Sequence, residues 1–504
     1  MAALKARDRL FREILMARQR VYQAASPTPL ERLDLPIDAE VFVKREDLSP
    51  IHAYKWRGAY NRMALLTAEE RERGVVAASA GNHAQGVALA ARRLGVRARI
   101  FMPTSTPRMK QTEVARHGGG AVDIVLIGDH YSEAAEAAKR YCAEAKGTLV
   151  HPYDDYATMA GQGTLADEAV MAGEGAFDAA YLQIGGGGMA SGVACWLKSY
   201  FPKMRAIGVE GVDQASMQAA IAAGQPVDLP YVDVFCDGTA VRRAGDLTFP
   251  LCQELIDGFV TVTNDEVCAA IQYVWEALRI VPEPSGAMGI AGLLKDEHAV
   301  RGQRILTVLC GANMDFGQLA TVARHAGIGA NRRRYFRITL PERPGALVDL
   351  LDELFTQANI IEFQHGKSDP KQAWPVIGAE ASAPVLDALE RGLTERGYSY
   401  ETVTSEEDVE FRIINYDPHL FQRPYFVKVE FPERAGALHD FLITLRQVAG
   451  ICYFNYLFTG ETVGRALIGF EFESDDNRAQ AIKLIAESGI TCTEIPEEVL
   501  GRIL

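Results

Sequence analysis

No apolar run in this chain approaches the ~18 residues that a membrane span needs, which argues against a helical membrane protein. Positive charge is also scarce. The 52 lysines and arginines are outnumbered by 66 aspartates and glutamates, leaving a net charge of −14. That balance excludes nucleic acid or an anionic membrane as the main partner and fits a soluble protein. There is no Cys-x-x-Cys pair, and the eight cysteines are scattered. They read as reduced thiols of a cytoplasmic protein, not as a disulfide frame, and no metal site is expected. Serine is absent before Ser26, and no cleavage site is evident in the arginine-rich first stretch. Asp8 and Glu13 also speak against a transit peptide. Leu10, Ile14 and Val21, at roughly helical spacing, are therefore expected to lie on a structural first helix.

What is present suffices for a large core. With 504 residues, 48% of them apolar, the chain should hold two to four domains of about 150 residues each. Between about residues 74 and 315, short β-branched runs alternate with helical stretches. Gly74–Ala78 reads as a strand, Ala84–Leu94 as a helix and Arg99–Met102 as the next strand. Asp123–Ile127, Ala179–Ile184, Arg205–Val209 and Ile305–Leu309 continue the strand series. Strands alternating with helices imply an α/β fold, mainly parallel and covered on both faces.

Three chemically suggestive segments follow directly on these strands. They are Ser79-Ala80-Gly81-Asn82-His83, Gly185-Gly186-Gly187-Gly188 with Met189, and Cys310-Gly311-Ala312-Asn313. Ligands of open α/β sheets sit at the carboxyl ends of strands, so the three are expected to converge. A fourth segment, His52-Ala53-Tyr54-Lys55-Trp56-Arg57-Gly58, lies downstream of a charged strand end, Lys44-Arg45-Glu46-Asp47. Most lysines merely cover surface. In this company Lys55 is expected to form the Schiff base with pyridoxal phosphate, with Tyr54 stacked on the ring. Four glycines opening a helix suit a phosphate, because bare backbone N–H groups and the helix dipole face it. No Gly-Lys-Ser or Gly-Lys-Thr follows, so this is not a Walker loop, and it is a poor dinucleotide fingerprint. Ser79–His83 is either a plain helix cap or an anion site for an amino-acid carboxylate. Cys310 is either a core cysteine or the partner of the pyridine nitrogen. A thiol there leaves that nitrogen unprotonated, a weaker electron sink that favours elimination over transamination.

Beyond about residue 330 the character changes. Arg332-Arg333-Arg334 reads as a solvated charge run at a linker. An internal repeat follows. Phe336-Arg337-Ile338-Thr339-Leu340-Pro341-Glu342-Arg343-Pro344-Gly345-Ala346-Leu347 answers Val427-Lys428-Val429-Glu430-Phe431-Pro432-Glu433-Arg434-Ala435-Gly436-Ala437-Leu438, 91 positions on. The same offset relates Ile360 to Ile451, Phe363 to Phe454 and Ile377-Gly378 to Ile468-Gly469. Each copy reads strand, Pro-Glu-Arg turn, amphipathic helix, two strands, helix, strand. That is the split βαβ, ferredoxin-like pattern. A segment around 409–423, with Asn415-Tyr416-Asp417-Pro418, links the copies.

With these motifs in view, the chain resembles the biosynthetic threonine deaminases, or threonine ammonia-lyases. These are fold-type II, tryptophan-synthase-β-like pyridoxal-phosphate enzymes. The resemblance is carried by Thr28-Pro29-Leu30, Lys44–Asp47, Lys55-Trp56-Arg57-Gly58-Ala59-Tyr60, Ser79 through Gly86, Gly185–Gly188, Glu283-Pro284-Ser285-Gly286-Ala287, Gly311-Ala312-Asn313 and the tandem tail. It implies a catalytic body over residues 1–330, built from two α/β subdomains with open, mainly parallel sheets. It also implies α+β ACT-like modules over 335–408 and 424–504. Lys55 is implied as anchor and base, Asn82 as the partner of the cofactor's 3′-oxygen, and Cys310 at the ring nitrogen. Gly185, Gly186, Gly187, Gly188 and Met189 would hold the phosphate, with Tyr54, Gly238 and Glu283 as further cofactor contacts. Ser79, Ala80, Gly81, Asn82 and His83 would surround the substrate carboxylate. Two positions depart from the pattern. Cys310 stands where biosynthetic members usually have serine, as the serine dehydratases do, and Tyr54 where phenylalanine is usual. Ala80 stands where family racemases carry a serine base. A single base at Lys55 implies elimination, where two would imply inversion.

The activity so implied is deamination of L-threonine to 2-oxobutanoate and ammonia, the first step of isoleucine biosynthesis, with L-serine a poorer substrate. Isoleucine inhibition and valine relief through the tail, a cytoplasmic location and a homotetramer are implied with it. The tail's plainer reading is oligomer glue. Two alternatives stand beside this reading. One is a catabolic L-serine/L-threonine dehydratase, favoured by Cys310. The other is an amino-acid-binding regulator with an inactive body, against which the retained Lys55, Asn82 and glycine loop argue.

Overall fold

The computed structural model describes residues 2–404, 407–432 and 436–502, so Glu433-Arg434-Ala435 of the second repeat turn lies outside the described residues. The chain folds as two compact units, Met1–Gly329 and Ala330–Leu504.

The first unit opens on a long helix, Ala2–Ala24. Its Leu10, Ile14, Ala17 and Val21 are fully buried, the stripe that the helical spacing anticipates. Burying each large apolar side chain is worth about 1.5–3 kcal/mol, so this face is what docks the helix on the unit. Ten strands follow: β1 (Leu30–Arg32), β2 (Glu40–Arg45), β3 (Val75–Ala78), β4 (Ala98–Met102), β5 (Val122–Leu126), β6 (Thr148–Leu149), β7 (Ala179–Gln183), β8 (Arg205–Gly211), β9 (Gly258–Val262) and β10 (Arg304–Leu309). They divide between two sheets, ordered β1-β2-β10-β7-β8-β9 and β5-β4-β3-β6. All pairings are parallel except β1 with β2. The three segments that follow predicted strands therefore come from both sheets. Ser79 leaves the smaller sheet after β3, and Gly185 and Cys310 leave the larger after β7 and β10.

A charged cluster is sealed inside this unit. The Lys44, Glu46 and Arg57 side chains are wholly buried and that of Glu168 nearly so. Arg57 reaches Glu46 at 2.8 Å and Glu168 at 2.5 Å, and Lys44 reaches Glu168 at 2.7 Å. Thr28 adds an O–H to Glu46 at 2.6 Å and an N–H to Glu168 at 3.0 Å. Two cations and two anions cancel, so the cluster survives burial that an isolated charge would not. Burial alone would raise the Glu46 carboxyl, but Arg57 and Lys44 outweigh it and hold it well below the usual range. The cluster ties β2 to the helices Trp56–Ala64 and Tyr156–Met171, and so fixes the start of the helix that Lys55 caps.

The second unit consists of β11 (Arg333–Ile338), β12 (Leu340–Pro341), β13 (Asn359–Gly366), β14 (Gln372–Ala373), β15 (Val376–Glu380), β16 (Tyr400–Thr402), β17 (Tyr425–Pro432), β18 (Gly450–Leu457), β19 (Val463–Glu471) and β20 (Thr491–Glu494), with intervening helices. Eight of these form one sheet, ordered β16-β11-β15-β13-β18-β19-β17-β20. Each half is a ferredoxin-like βαββαβ module, and the halves join through antiparallel β13 and β18. At that seam Gln364 pairs with Asn455, its own counterpart 91 positions on, so the modules are related by a local two-fold axis. Phe363 and Phe454, also counterparts, stack there with centroids 4.4 Å apart. Gly345 and Gly436 repeat one turn, each capping a helix at φ +80° and +81°, a conformation costly for any residue with a Cβ. Arg333 and Arg334 correct the reading of a solvated charge run. Both lie in β11, Arg333 paired with Glu380 and Arg334 with Asp387 and Glu390. Acidic partners on neighbouring elements, invisible from a basic tripeptide, decide this.

Among the described residues no helix is long and apolar enough to cross a membrane, and no His, Cys, Asp and Glu group of three or more is placed to hold a metal ion.

Candidate active site

The backbone before Lys55 is stitched onto the end of β10. Ala53 bridges Gly311, the Tyr54 N–H donates to the Cys310 carbonyl at 3.2 Å, and the Ala312 N–H donates to the His52 carbonyl at 2.9 Å. Lys55 thus caps the helix Trp56–Ala64 with its amine beside the larger sheet. Its Nζ donates to the Gly238 carbonyl at 3.1 Å. Burial lowers its pKa, against the pull of Glu283, Asp237 and Cys310. A lowered pKa enlarges the neutral fraction, and the neutral amine is the form that attacks a carbonyl.

Gly185–Gly188 turn between β7 and the helix Gly188–Tyr200. Gly187 sits at φ +91°, and a Cβ on Gly186 would lie 2.3 Å from the Tyr153 ring. No side chain can stand in this loop, which leaves the first-turn N–H groups of the helix facing open space. That space is a cavity shared by Tyr54, Lys55, Asn82, the glycine loop, Met189, Gly238, Glu283 and Cys310. A phosphate at the bare loop and a carbonyl at Lys55 are what pyridoxal phosphate offers, so the residues present fit that cofactor. Cys310 is buried, its thiol 3.4 Å from the Met189 sulfur. Burial pushes it well above the ordinary cysteine range, with Glu283 and Glu46 adding to the shift, so it stays a neutral thiol.

Asn82 opens the helix Asn82–Leu94 with Gly81 as its cap. Its Nδ2 donates to Glu283 Oε1 at 2.7 Å, and its Oδ1 accepts from Asn313 Nδ2 at 2.8 Å. Ser79 Oγ accepts from the Gly81 N–H at 3.2 Å, closing the turn. Ala80 brings no proton-transfer group to it. The His83 side chain lies buried away from this turn, its Nε2 2.8 Å from the Val150 carbonyl. Burial lowers it to about 3, with Lys55 and His151 acting in the same sense against the Val150 hydrogen bond. His83 therefore brings only its backbone to any anion held by the turn.

Sequence reasoning missed several cavity residues: Pro152, Tyr153, Gln183, Thr239, Val241 and Ser285. Tyr153 walls the glycine loop, and Asp154 accepts from the Leu247 N–H at 2.8 Å, tying down the loop around residues 245–248. Gln183 donates to the Val308 carbonyl at 2.9 Å and ties β7 to β10. Pro152, Tyr153 and Gln183 lie at or just beyond strand ends, the one signal that could have pointed to them; Thr239, Val241 and Ser285 lie far from any strand end and carried no such signal.

A family of pyridoxal-phosphate dependent enzymes matches residues 21–311, more than half of the chain. The C-terminal regulatory domain of threonine dehydratase matches residues 324–413 and 421–500. The body and its two mainly parallel sheets are thus those of a fold-type II pyridoxal-phosphate enzyme. The biosynthetic L-threonine dehydratase of Haemophilus influenzae is 39% identical over 465 residues, 90% of this chain and 89% of that one. Among solved structures, the processed form of threonine deaminase isoform 2 from Solanum lycopersicum is 40% identical, covering 64% of this chain and 94% of its own, with a TM-score of 0.61. Maize serine racemase is 31% identical over 62% of this chain and 95% of its own, with a TM-score of 0.57. The chain belongs to the family of biosynthetic threonine dehydratases.

Proposed function

We propose that this enzyme converts L-threonine to 2-oxobutanoate and ammonia at the first step of isoleucine biosynthesis, with Lys55 as its single base. The observation that carries the reading is the depressed, buried Lys55 amine in one cavity with the glycine loop and Asn82. Pyridoxal phosphate, when bound, supplies the electron sink that acidifies the substrate α-carbon. The chain supplies the rest. Gly185–Gly188 and Met189 would hold the phosphate, Tyr54 and Gly238 would enclose the ring, and the Ser79–His83 turn would take the substrate carboxylate. Lys55 Nζ, once released as an amine, removes the α-proton. Ala80 offers no second base, so no proton is delivered to the other face. The β-hydroxyl leaves as water, protonated by the Lys55 ammonium, and the enamine that remains takes up water to give 2-oxobutanoate and ammonia.

Regulation belongs to the second unit. A cleft there is lined by Leu340, Glu342, Leu347, His365, Arg446 and Ile451, drawn from both modules. Burial pushes Glu342 up to about 7 against the pull of Lys367, and its Oε2 has no partner among the described residues. Such an unpartnered carboxyl oxygen, beside apolar walls and the Arg343 and Arg446 cations, suits the ammonium, side chain and carboxylate of isoleucine or valine. These are the effectors we assign, isoleucine inhibiting and valine relieving, in a cytoplasmic homotetramer.

The test is steady-state 2-oxo-acid production from threonine and serine, with and without isoleucine. Threonine should be the better substrate and isoleucine should inhibit. Equal use of serine without an isoleucine response would favour the catabolic dehydratase that Cys310 brings to mind. Cys310 itself makes a second prediction. Cys310→Ser should leave deamination largely intact, because both side chains are neutral hydrogen-bonding groups. Cys310→Asp should slow it by holding a ring nitrogen protonated. Equal rates in all three proteins would place residue 310 out of contact with the ring.

A further inference from the structure

Resting on the assignment of Asn82 to the ring oxygen of the cofactor, we propose that Glu283 and Asn313 are positioning residues that lock the Asn82 amide in one orientation, so that it presents an N–H and never a carbonyl to that oxygen.

An asparagine amide has two ends of nearly equal size and opposite polarity, so nothing intrinsic to Asn82 decides which one faces the cavity. The surrounding hydrogen bonds decide it, and they start from groups of a single polarity. The Ile51 carbonyl can only accept, and Asn313 Nδ2 donates to it at 2.7 Å. That fixes the Asn313 amide, whose same nitrogen donates to Asn82 Oδ1 at 2.8 Å. The Asn313 backbone N–H can only donate, and it occupies Glu283 Oε2 at 3.1 Å. Glu283 Oε1 then accepts from Asn82 Nδ2 at 2.7 Å. Both ends of Asn82 are thereby assigned, and one N–H of its Nδ2 is left for the cavity that Asn82 lines. Glu283 is itself immobile. It caps the helix Pro284–Lys295, its backbone N–H donates to the Gly311 carbonyl at 3.0 Å, and a Cβ on Gly311 would sit 2.7 Å from its Oε1.

The lock needs an acceptor at both Glu283 oxygens. The charged and titratable groups around it are Lys55 and Tyr54 before one helix, Cys236 and Asp237 on the loop that carries Gly238, and Cys310 after β10. Burial, with the Asp237 charge beside it, pushes Glu283 up to about 7, while Lys55, Asn313 and Asn82 pull it down. Above that pH both oxygens accept. Below it a proton on either oxygen faces an N–H, and the lock loosens.

Glu283→Gln keeps the shape but has one accepting end, so either Asn82 or Asn313 loses its partner. Losing one hydrogen bond to a charged acceptor should weaken pyridoxal phosphate binding about tenfold, read by titrating the apoenzyme and following visible absorbance. The pH profile of that absorbance should show a limb near 7 in the wild type and none in Glu283→Gln. Asn313→Ala, which leaves Glu283 in place, should weaken binding in the same direction. In an Asn82→Ala background neither substitution should have a further effect. A full effect of Glu283→Gln on top of Asn82→Ala, or no effect in the wild type, would overturn the lock alone. Unchanged affinity in Asn82→Ala would overturn the assignment of Asn82 to the ring oxygen, and the lock with it.

Discussion

Lys55→Ala should reduce threonine deamination by roughly 10⁴-fold or more while the protein stays folded. In the proposed mechanism one nitrogen performs two tasks, covalent attachment of the cofactor and removal of the α-proton, and alanine can perform neither. The fold should tolerate the change because the amine makes a single hydrogen bond, to the Gly238 carbonyl, and its burial already disfavours the charged form. The neighbouring Arg57, whose buried ion pairs hold the helix start, is untouched. Three measurements separate the possibilities: 2-oxobutanoate production, the visible absorbance of the loaded protein, and the urea unfolding midpoint. Loss of the first two with the third unchanged is the expected result. Retention of more than about one hundredth of the activity would mean that another base serves the α-carbon.

Truncation after Gly329 should yield an enzyme that deaminates threonine and ignores isoleucine. Every residue of the proposed active site, from Tyr54 to Asn313, lies in the first compact unit. The tomato and maize chains that match this one cover 64% and 62% of it and over nine-tenths of themselves, about the share that the first unit represents. The second unit buries its own core around Phe336, Phe363, Val427 and Phe454, and it contains no counterpart of the glycine loop. Feedback is a coupling free energy between two sites, typically about 1–3 kcal/mol, and it vanishes when one site is removed. The quantity to measure is the isoleucine concentration giving half inhibition, in full-length and truncated protein. Inhibition at an unchanged concentration would place the effector site on the catalytic body and leave the repeats a structural role.

Local pattern was enough for much of this protein. Leu10, Ile14 and Val21 announced a helix with one buried face, because helical period is written into neighbouring residues. The β-branched runs became β3, β4, β5, β7, β8 and β10 with ends shifted by two residues at most; all but the edge strand β5 are largely buried, and a strand buried on both faces is recognisable as a short apolar run. The 91-residue repeat announced two copies of one module because both must solve the same packing problem, down to Gly345 and Gly436 in the same left-handed turn. The Ser79 turn, the glycine loop and the Cys310 turn were visible as polar or glycine-rich segments directly after strands, with the lysine segment as a fourth beside them.

Tertiary structure alone decided what these parts do to one another. It split the strands between two sheets and joined the two modules through β13 and β18. It sealed Lys44, Glu46, Arg57 and Glu168 into one neutral cluster, and it turned the supposed charge run at Arg333 and Arg334 into a strand with acidic partners. It turned His83 away from the cavity and brought Asn82, Glu283 and Asn313 into contact across 201 and 231 residues of chain. Periodicity is a property of adjacent residues, so a sequence displays it directly. The pairing of buried charges and the satisfaction of buried donors depend on segments remote in the chain, and only the folded arrangement brings those into reach.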